Sequence, residues 1–338
     1  MNSNPPLTLR ALATFATLGP LALASLVHAQ ANNAATIQAP TAETQPPTGT
    51  PPPAAGEEAT EKEGPLTISF AARGIAELQA DFKSGPGTVS VYRADFELGM
   101  NYKFNSTLSA GLVLEAQTSW FNFNNAQALT PGSPRPYGSF AEVTIAPSLR
   151  CTPDEHWSFT VGALIDFAGE FDADVGQSFA GGGFLAAGYK FSDDFRMTLG
   201  VIATSRIEDS FFAYPYIGID WKINEKVSFK VYGNQNGPEA RITAKVADAW
   251  SVFLYGAYQS RSYRLSDTSP VPDGVFRERE VPVVFGATYK CSDRFEINGG
   301  VGVVAWRRFR QDNSAGTTIS QLETDPGALL FLSGKVTF

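Results

Sequence analysis

Six basic residues recur in one setting along this 338-residue chain. Lys103, Lys190, Lys222 and Lys290 each follow an aromatic residue (Tyr102, Tyr189, Trp221, Tyr289) and precede Phe104, Phe191, Ile223 and Cys291. Looser copies are Leu149-Arg150-Cys151 and Ala244-Lys245-Val246. Each triplet runs into a short polar turn such as Ser192-Asp193-Asp194, after which an apolar residue restarts the chain. In an extended strand the base then points to one face and its two neighbours to the other. Six cations at one depth could form a ring that favours anions. Equally, each could be a rim charge neutralised by acids on adjacent strands, such as Glu97, Glu115, Asp166 or Glu170.

Other reactive residues are sparse. Beyond the N-terminal segment one histidine remains, His156, beside Trp157 in a predicted turn. A general base needs a positioned partner, and no Ser, Asp or Glu stands at a defensible spacing, so no enzyme is expected. Cys151 and Cys291 hold the same place in their triplets, on the predicted fourth and twelfth strands. A disulfide needs Cα atoms within about 7 Å, so free thiols are expected. One histidine and two distant cysteines make no metal set, and no cofactor is expected.

The elements that must position these residues are strands. Phe numbers 25 and Gly 31 against three Met, a composition that favours strands and turns. The formal charge of −8 opposes a nucleic-acid partner, which requires a basic surface. From Val89 to Phe104 the even positions are Tyr92, Ala94, Phe96, Leu98, Met100, Tyr102 and Phe104. The odd ones include Arg93, Asp95, Glu97 and Lys103. One face is apolar and the other ionic over a length well beyond the usual strand of about 5–6 residues. Leu108–Trp120, Phe195–Ile207 and Val281–Cys291 repeat the pattern, whereas Trp250–Tyr263 is apolar on both faces and its register is open. Fourteen such runs can be counted from residue 66 to 338, with twelve as the nearest alternative. The triplets share the short-turn rim, and the opposite rim carries longer polar loops at Asn124–Tyr137, Ser266–Gly274 and Gln311–Pro326.

Ahead of the strands, Arg10, the apolar stretch Ala11–Val27 and Val27-His28-Ala29 read as a cleaved signal peptide over residues 1–29. Residues 30–64, rich in Ala, Pro, Thr and Glu, are expected to be a disordered tail.

With its export signal, alternating strands, loop asymmetry and terminal Phe338 preceded by Val336 and Leu332 on one face, the chain resembles a bacterial outer-membrane β-barrel protein over about residues 66–338. The resemblance implies an all-β, transmembrane, antiparallel up-and-down barrel occupying residues 65–338, in outer-membrane lipid, with the tail in the periplasm. It implies assembly by the barrel-assembly machinery through the strand ending at Phe338. The function expected is a porin-like channel for passive passage of small polar solutes; the alternative is a non-conducting structural or surface-binding barrel. Candidate pore-lining residues are Arg93, Asp95, Glu97, Lys103, Glu115, Arg150, Lys190, Arg196, Lys222, Lys245 and Lys290.

Overall fold

Alternation along each strand does become a closed wall. The computed structural model describes residues 65–207, 209–234 and 236–338; the expected signal peptide and tail lie outside the described residues. In chain order the strands are β1 (Leu66–Asp81), β2 (Thr88–Lys103), β3 (Leu108–Asn124), β4 (Ser139–Cys151), β5 (Trp157–Glu170), β6 (Phe179–Ser192), β7 (Phe195–Arg206) and β8 (Asp209–Lys222). They continue with β9 (Val227–Asn234), β10 (Gly237–Lys245), β11 (Trp250–Ala257), β12 (Gln259–Arg264), β13 (Val275–Lys290), β14 (Phe295–Asp312), β15 (Thr318–Thr324) and β16 (Gly327–Thr337). Because β11 and β12 pair successively with β13, and β15 and β16 successively with β14, the sixteen segments form fourteen strands. β1 pairs antiparallel with β16 from Ser69↔Thr337 to Glu77↔Leu329, which closes the cylinder.

The outer face is apolar between two aromatic belts. Tyr92 and Trp120 lie opposite each other towards the long-loop rim, and Tyr102, Trp157, Trp221, Trp250 and Tyr289, all exposed, lie at the short-turn rim with the half-buried Tyr189. Leu185, Leu199, Phe285, Val301 and Leu332 fill the band between them, also exposed. From Tyr92 to Tyr102 is ten residues; at about 3.4 Å each and a tilt of about 40° this is ~26 Å, the height of a barrel's lipid-facing band. The fold is a transmembrane antiparallel β-barrel.

Two details depart from the sequence reading. Gln311–Pro326, expected as a loop, contains β15, which extends the hairpin with β14 beyond the lipid band. There the outward side chains need not be apolar, so Ile319, Gln321 and Glu323 gave no membrane-type alternation. The open register of Trp250–Tyr263 resolves with Phe253, Ala257 and Tyr263 buried inside and Trp250 and Leu254 outside. Both faces are apolar because the inner rings pack on luminal hydrophobics, Phe253 against Phe331 at 6.4 Å between centroids.

Near the long-loop rim the wall also bends inward. Pro282 lacks the N–H that a central strand needs, and the register of β13 with β14 shifts at Val281/Pro282. Opposite this break the chain passes from β11 to β12 at Tyr258. Beyond Ser260, still bonded to the β9–β10 hairpin, β12 leaves its wall neighbour, crosses the lumen and bridges β5 in parallel at Arg264↔Gly169. Gly169 permits the approach, since a Cβ there would lie 2.9 Å from the Arg264 carbonyl oxygen. At this level the barrel is therefore split into two compartments.

Candidate functional site

The first compartment, bounded by β1–β5 and β12–β15, is filled. Inward-facing Arg93, Arg261 and Arg307 meet Glu77, Glu278 and Glu280, three guanidiniums to three carboxylates with almost no exposure. Arg93 Nη2 donates to Glu278 Oε2 at 2.7 Å and its Nη1 to Ser119 Oγ at 2.9 Å. Arg261 Nη1 donates to Glu280 Oε1 at 2.8 Å, and Arg307 Nη2 to Glu280 Oε2 at 2.8 Å. Arg307 also pairs with Glu77. Arg93–Glu278 runs from β2 to β13 and Arg307–Glu77 from β14 to β1, so these two tie walls that are not hydrogen-bonded neighbours. The three glutamates are close enough to one another to hold a metal ion, but the guanidiniums already balance their charge. A second set lies beside this cage: Arg73 pairs with Asp95, which also accepts from Gln117 Nε2 at 3.2 Å, and Arg73 reaches Glu115 at 3.8 Å.

Towards the long-loop rim an aromatic core covers the cage. Phe140 stacks on Tyr263 at 4.6 Å and on Phe276 at 5.3 Å, and Phe276 on Phe309 at 5.4 Å. Phe121 meets Phe276 edge-on at 5.4 Å. The β3–β4 connection folds over this core, burying Ala126, Leu129 and Tyr137. Thr130 Oγ1 donates to Gln311 Oε1 at 2.9 Å beneath it. Burial pushes the Tyr137 hydroxyl above its ordinary pKa. Further down, a void of about 50 Å³ remains among Arg73, Tyr232, Tyr255 and Phe331, room for one or two waters at about 30 Å³ each.

The second compartment is open. A cavity of about 410 Å³ lies between the outer side of β12–β13 (Ser260, Ser262, Arg279) and the inner side of β4–β8 (Glu142, Asp166, Thr204, Tyr214). The β9–β10 hairpin closes one side: Tyr258 N donates to Pro238 O at 3.0 Å and Ser260 N to Asn236 O at 2.8 Å. Gly237, at φ +139°, has the Tyr258 carbonyl where a Cβ would stand, at 2.2 Å. An apolar cluster of Leu164, Phe184, Ile202 and Tyr216, with Tyr214 packed against it, adjoins the cavity.

At the short-turn rim three of the six triplet cations form ion pairs, and their partners are not those expected. Lys190 pairs with Asp193 at 2.5 Å, Lys245 with Asp248 at 3.0 Å and Lys290 with Asp293 at 3.1 Å. The counterion is therefore carried in the same turn, three residues on. Glu115 is with Arg73, Asp166 accepts from Thr144 at 2.9 Å, and Glu170 accepts from Ser266 N and Ser269 Oγ. The Lys190 pair and two backbone donors, respectively, hold the exposed Asp193 and Asp154 carboxyls below their ordinary pKa. His156 lies on this rim, its Nδ1 2.9 Å from the Lys190 carbonyl oxygen and its ring stacked on Tyr189.

The predicted luminal residues thus divide. Arg93, Asp95, Glu97, Glu115 and Arg150 are buried. Lys103, Lys222, Lys245 and Lys290 are exposed at the rim, where Lys190 and Arg196 are half-buried and opposite each other on β6 and β7. Sequence reasoning missed Glu77, Arg261, Glu278, Glu280 and Arg307 of the cage, and Glu142 and Tyr214 of the cavity. One signal was available: Arg277-Glu278-Arg279-Glu280 charges both faces of one strand, which no lipid-facing wall tolerates.

A family described as a domain of unknown function (DUF6268) matches residues 167–321. No curated protein matches the chain. Among solved structures, the toluene transporter TodX of P. putida is 9% identical with a TM-score of 0.43, covering 82% of this chain and 90% of that one. An outer-membrane channel from Pseudomonas putida F1 is 10% identical with a TM-score of 0.41, covering 85% and 100%. The KdgM porin is 9% identical with a TM-score of 0.30, covering 79% and 98%. Likenesses this remote carry nothing about cargo; the barrel stands on its own strand pairing.

Proposed function

We propose that the chain is a bacterial outer-membrane barrel that is shut at rest: a gated, selective channel for small polar solutes rather than an open diffusion pore. The observation that carries this reading is the cross-lumen packing of Arg93, Arg307, Glu278 and Glu280 beneath Phe140, Phe276 and Phe309. A wall of fourteen strands falls between the eight-stranded barrels whose side chains fill the interior and the sixteen-stranded ones that leave an aqueous channel. Here large side chains take up much of that space. The short-turn rim with its six cations is then the periplasmic mouth, and the long-loop rim is extracellular. In this reading Arg93, Asp95 and Glu115 help to close the lumen, while Lys103, Lys190, Arg196, Lys222, Lys245 and Lys290 meet solute at the mouth. Liposome swelling in L-arabinose tests it: wild-type protein should swell vesicles no faster than empty ones, and rapid swelling would overturn it. A purely structural barrel would also be silent, but would stay so when the aromatic core is removed.

A further inference from the structure

The open compartment is built as more than leftover space. Its volume, about 410 Å³, lies within the range of small-molecule sites, and charged groups line it. On the inner wall, Glu142 and Asp166 project from adjacent strands β4 and β5, diagonal to each other, Asp166 facing Thr144 and Glu142 facing Ala168 in the register. Neither takes part in an ion pair closer than 4 Å among the described residues. Glu142 is 7% exposed. Asn236 hydrogen-bonds its carboxylate, yet Oε2 is buried without a hydrogen-bond partner among the described residues. A buried carboxylate is costly unless a cation or donor meets it. The arginines of the neighbouring cage act on Glu142 from a distance but are already committed to Glu278 and Glu280.

Around these acids the lining is aromatic. Phe212 and Tyr214 lie 5.6 Å apart, and Tyr258 faces them from β12's side of the cavity. Such faces bind both apolar groups and cations. Arg206 stacks over the Phe212 ring at 4.2 Å, and Arg279 stands on the opposite wall. The cavity is thus lined by carboxylates, aromatic rings and guanidiniums together.

We propose that this cavity binds a small organic molecule with an ammonium head and an apolar or aromatic body. The head meets Glu142 and Asp166, and the body lies on Tyr214 and Tyr258. Binding here does not require the barrel to open, so the proposal and the closed-channel reading fail separately.

Four probes that share one ring test it by calorimetry on detergent-folded protein: phenethylamine, phenylalanine, phenylacetate and toluene. The two amines should bind at least tenfold more tightly than the acid and the hydrocarbon. Glu142→Gln and Asp166→Asn, each checked for folding by heat-dependent gel mobility, should each weaken the amines tenfold or more. Tyr214→Ala should weaken all four probes and so provides a readout should either carboxylate variant misfold. Equal or tighter binding of phenylacetate or toluene, or amine affinity unchanged in the folded variants, would overturn the proposal.

Discussion

The two compartments of this lumen are walled by the same alternating strands, yet one is packed and the other open. In the packed one, β2, β3, β13 and β14 turn Arg, Glu and Phe inward, and these side chains span the space and pair with one another. In the open one, β4–β8 present Thr, Ser, Tyr and carboxylates hydrogen-bonded to neutral groups across a gap that β12 leaves when it crosses to β5. Hydrogen bonding alone fixes a fourteen-stranded wall. What the lumen contains is decided by one bent strand and by the size of the side chains that face inward.

The packed compartment loses most stability when its cage loses a member. Arg307→Met leaves Glu77 and Glu280 each short of a buried cation, and should cost about 3–5 kcal/mol in urea unfolding from lipid vesicles. Replacing Glu280 with Gln in the same chain should recover part of that loss. A wild-type midpoint would mean that the network contributes little.

Next in size is the boundary between the compartments. Gly237→Ala places a methyl against the Tyr258 carbonyl on a backbone at φ +139°, so about 1–3 kcal/mol should be lost. Hydrogen exchange should rise at Tyr258 and Ser260, whose amides donate to Pro238 and Asn236, and stay unchanged in the aromatic core. Uniform exchange across both regions would show that β12 is not held from this side.

Against these, the rim is soft. Lys245→Met removes an exposed pair with Asp248 and should change stability by less than about 1 kcal/mol. The contrast with Arg307 separates buried from solvated charge within one barrel.

Sequence made the wall legible and the filling largely illegible. Lipid imposes a strict rule on the outer face, so Tyr92 to Phe104 betrays its strand, its orientation and both belts at once. Inside, two kinds of interior satisfy the same inward positions. Arg93, Asp95 and Glu115 look alike whether they face water or each other; only Glu77, Glu278 and Arg307, distant in sequence, reveal that they are paired. The inward Phe121, Phe123, Phe276 and Phe309 form a dry interior, and a two-residue period does not say whether an apolar face meets lipid or other side chains. At the rim the counterions were three residues away in the turn, nearer than the cross-strand partners that pleat geometry suggested.

The smallest effect is a titration. Asp154 caps its turn by accepting from His156 N and Trp157 N at 2.8 and 2.7 Å, which depresses its pKa below the ordinary 3.8. A depressed carboxylate contributes fully above its unfolded pKa and loses that contribution as pH falls through its folded value. The Asp154 side-chain carboxyl, followed directly by NMR, should therefore titrate below the ordinary 3.8. Asp154→Asn should remove that acid transition; its persistence would assign the transition to another group.

The claim of a shut lumen is tested most directly by single-channel recording in planar bilayers, with wild type beside a Phe276→Ala/Phe309→Ala variant that folds to the same heat-dependent gel mobility. The account predicts a silent wild type, and stepwise conductance once the two rings that seal the packed compartment are gone. Steady wild-type conductance unchanged by the double substitution would contradict it.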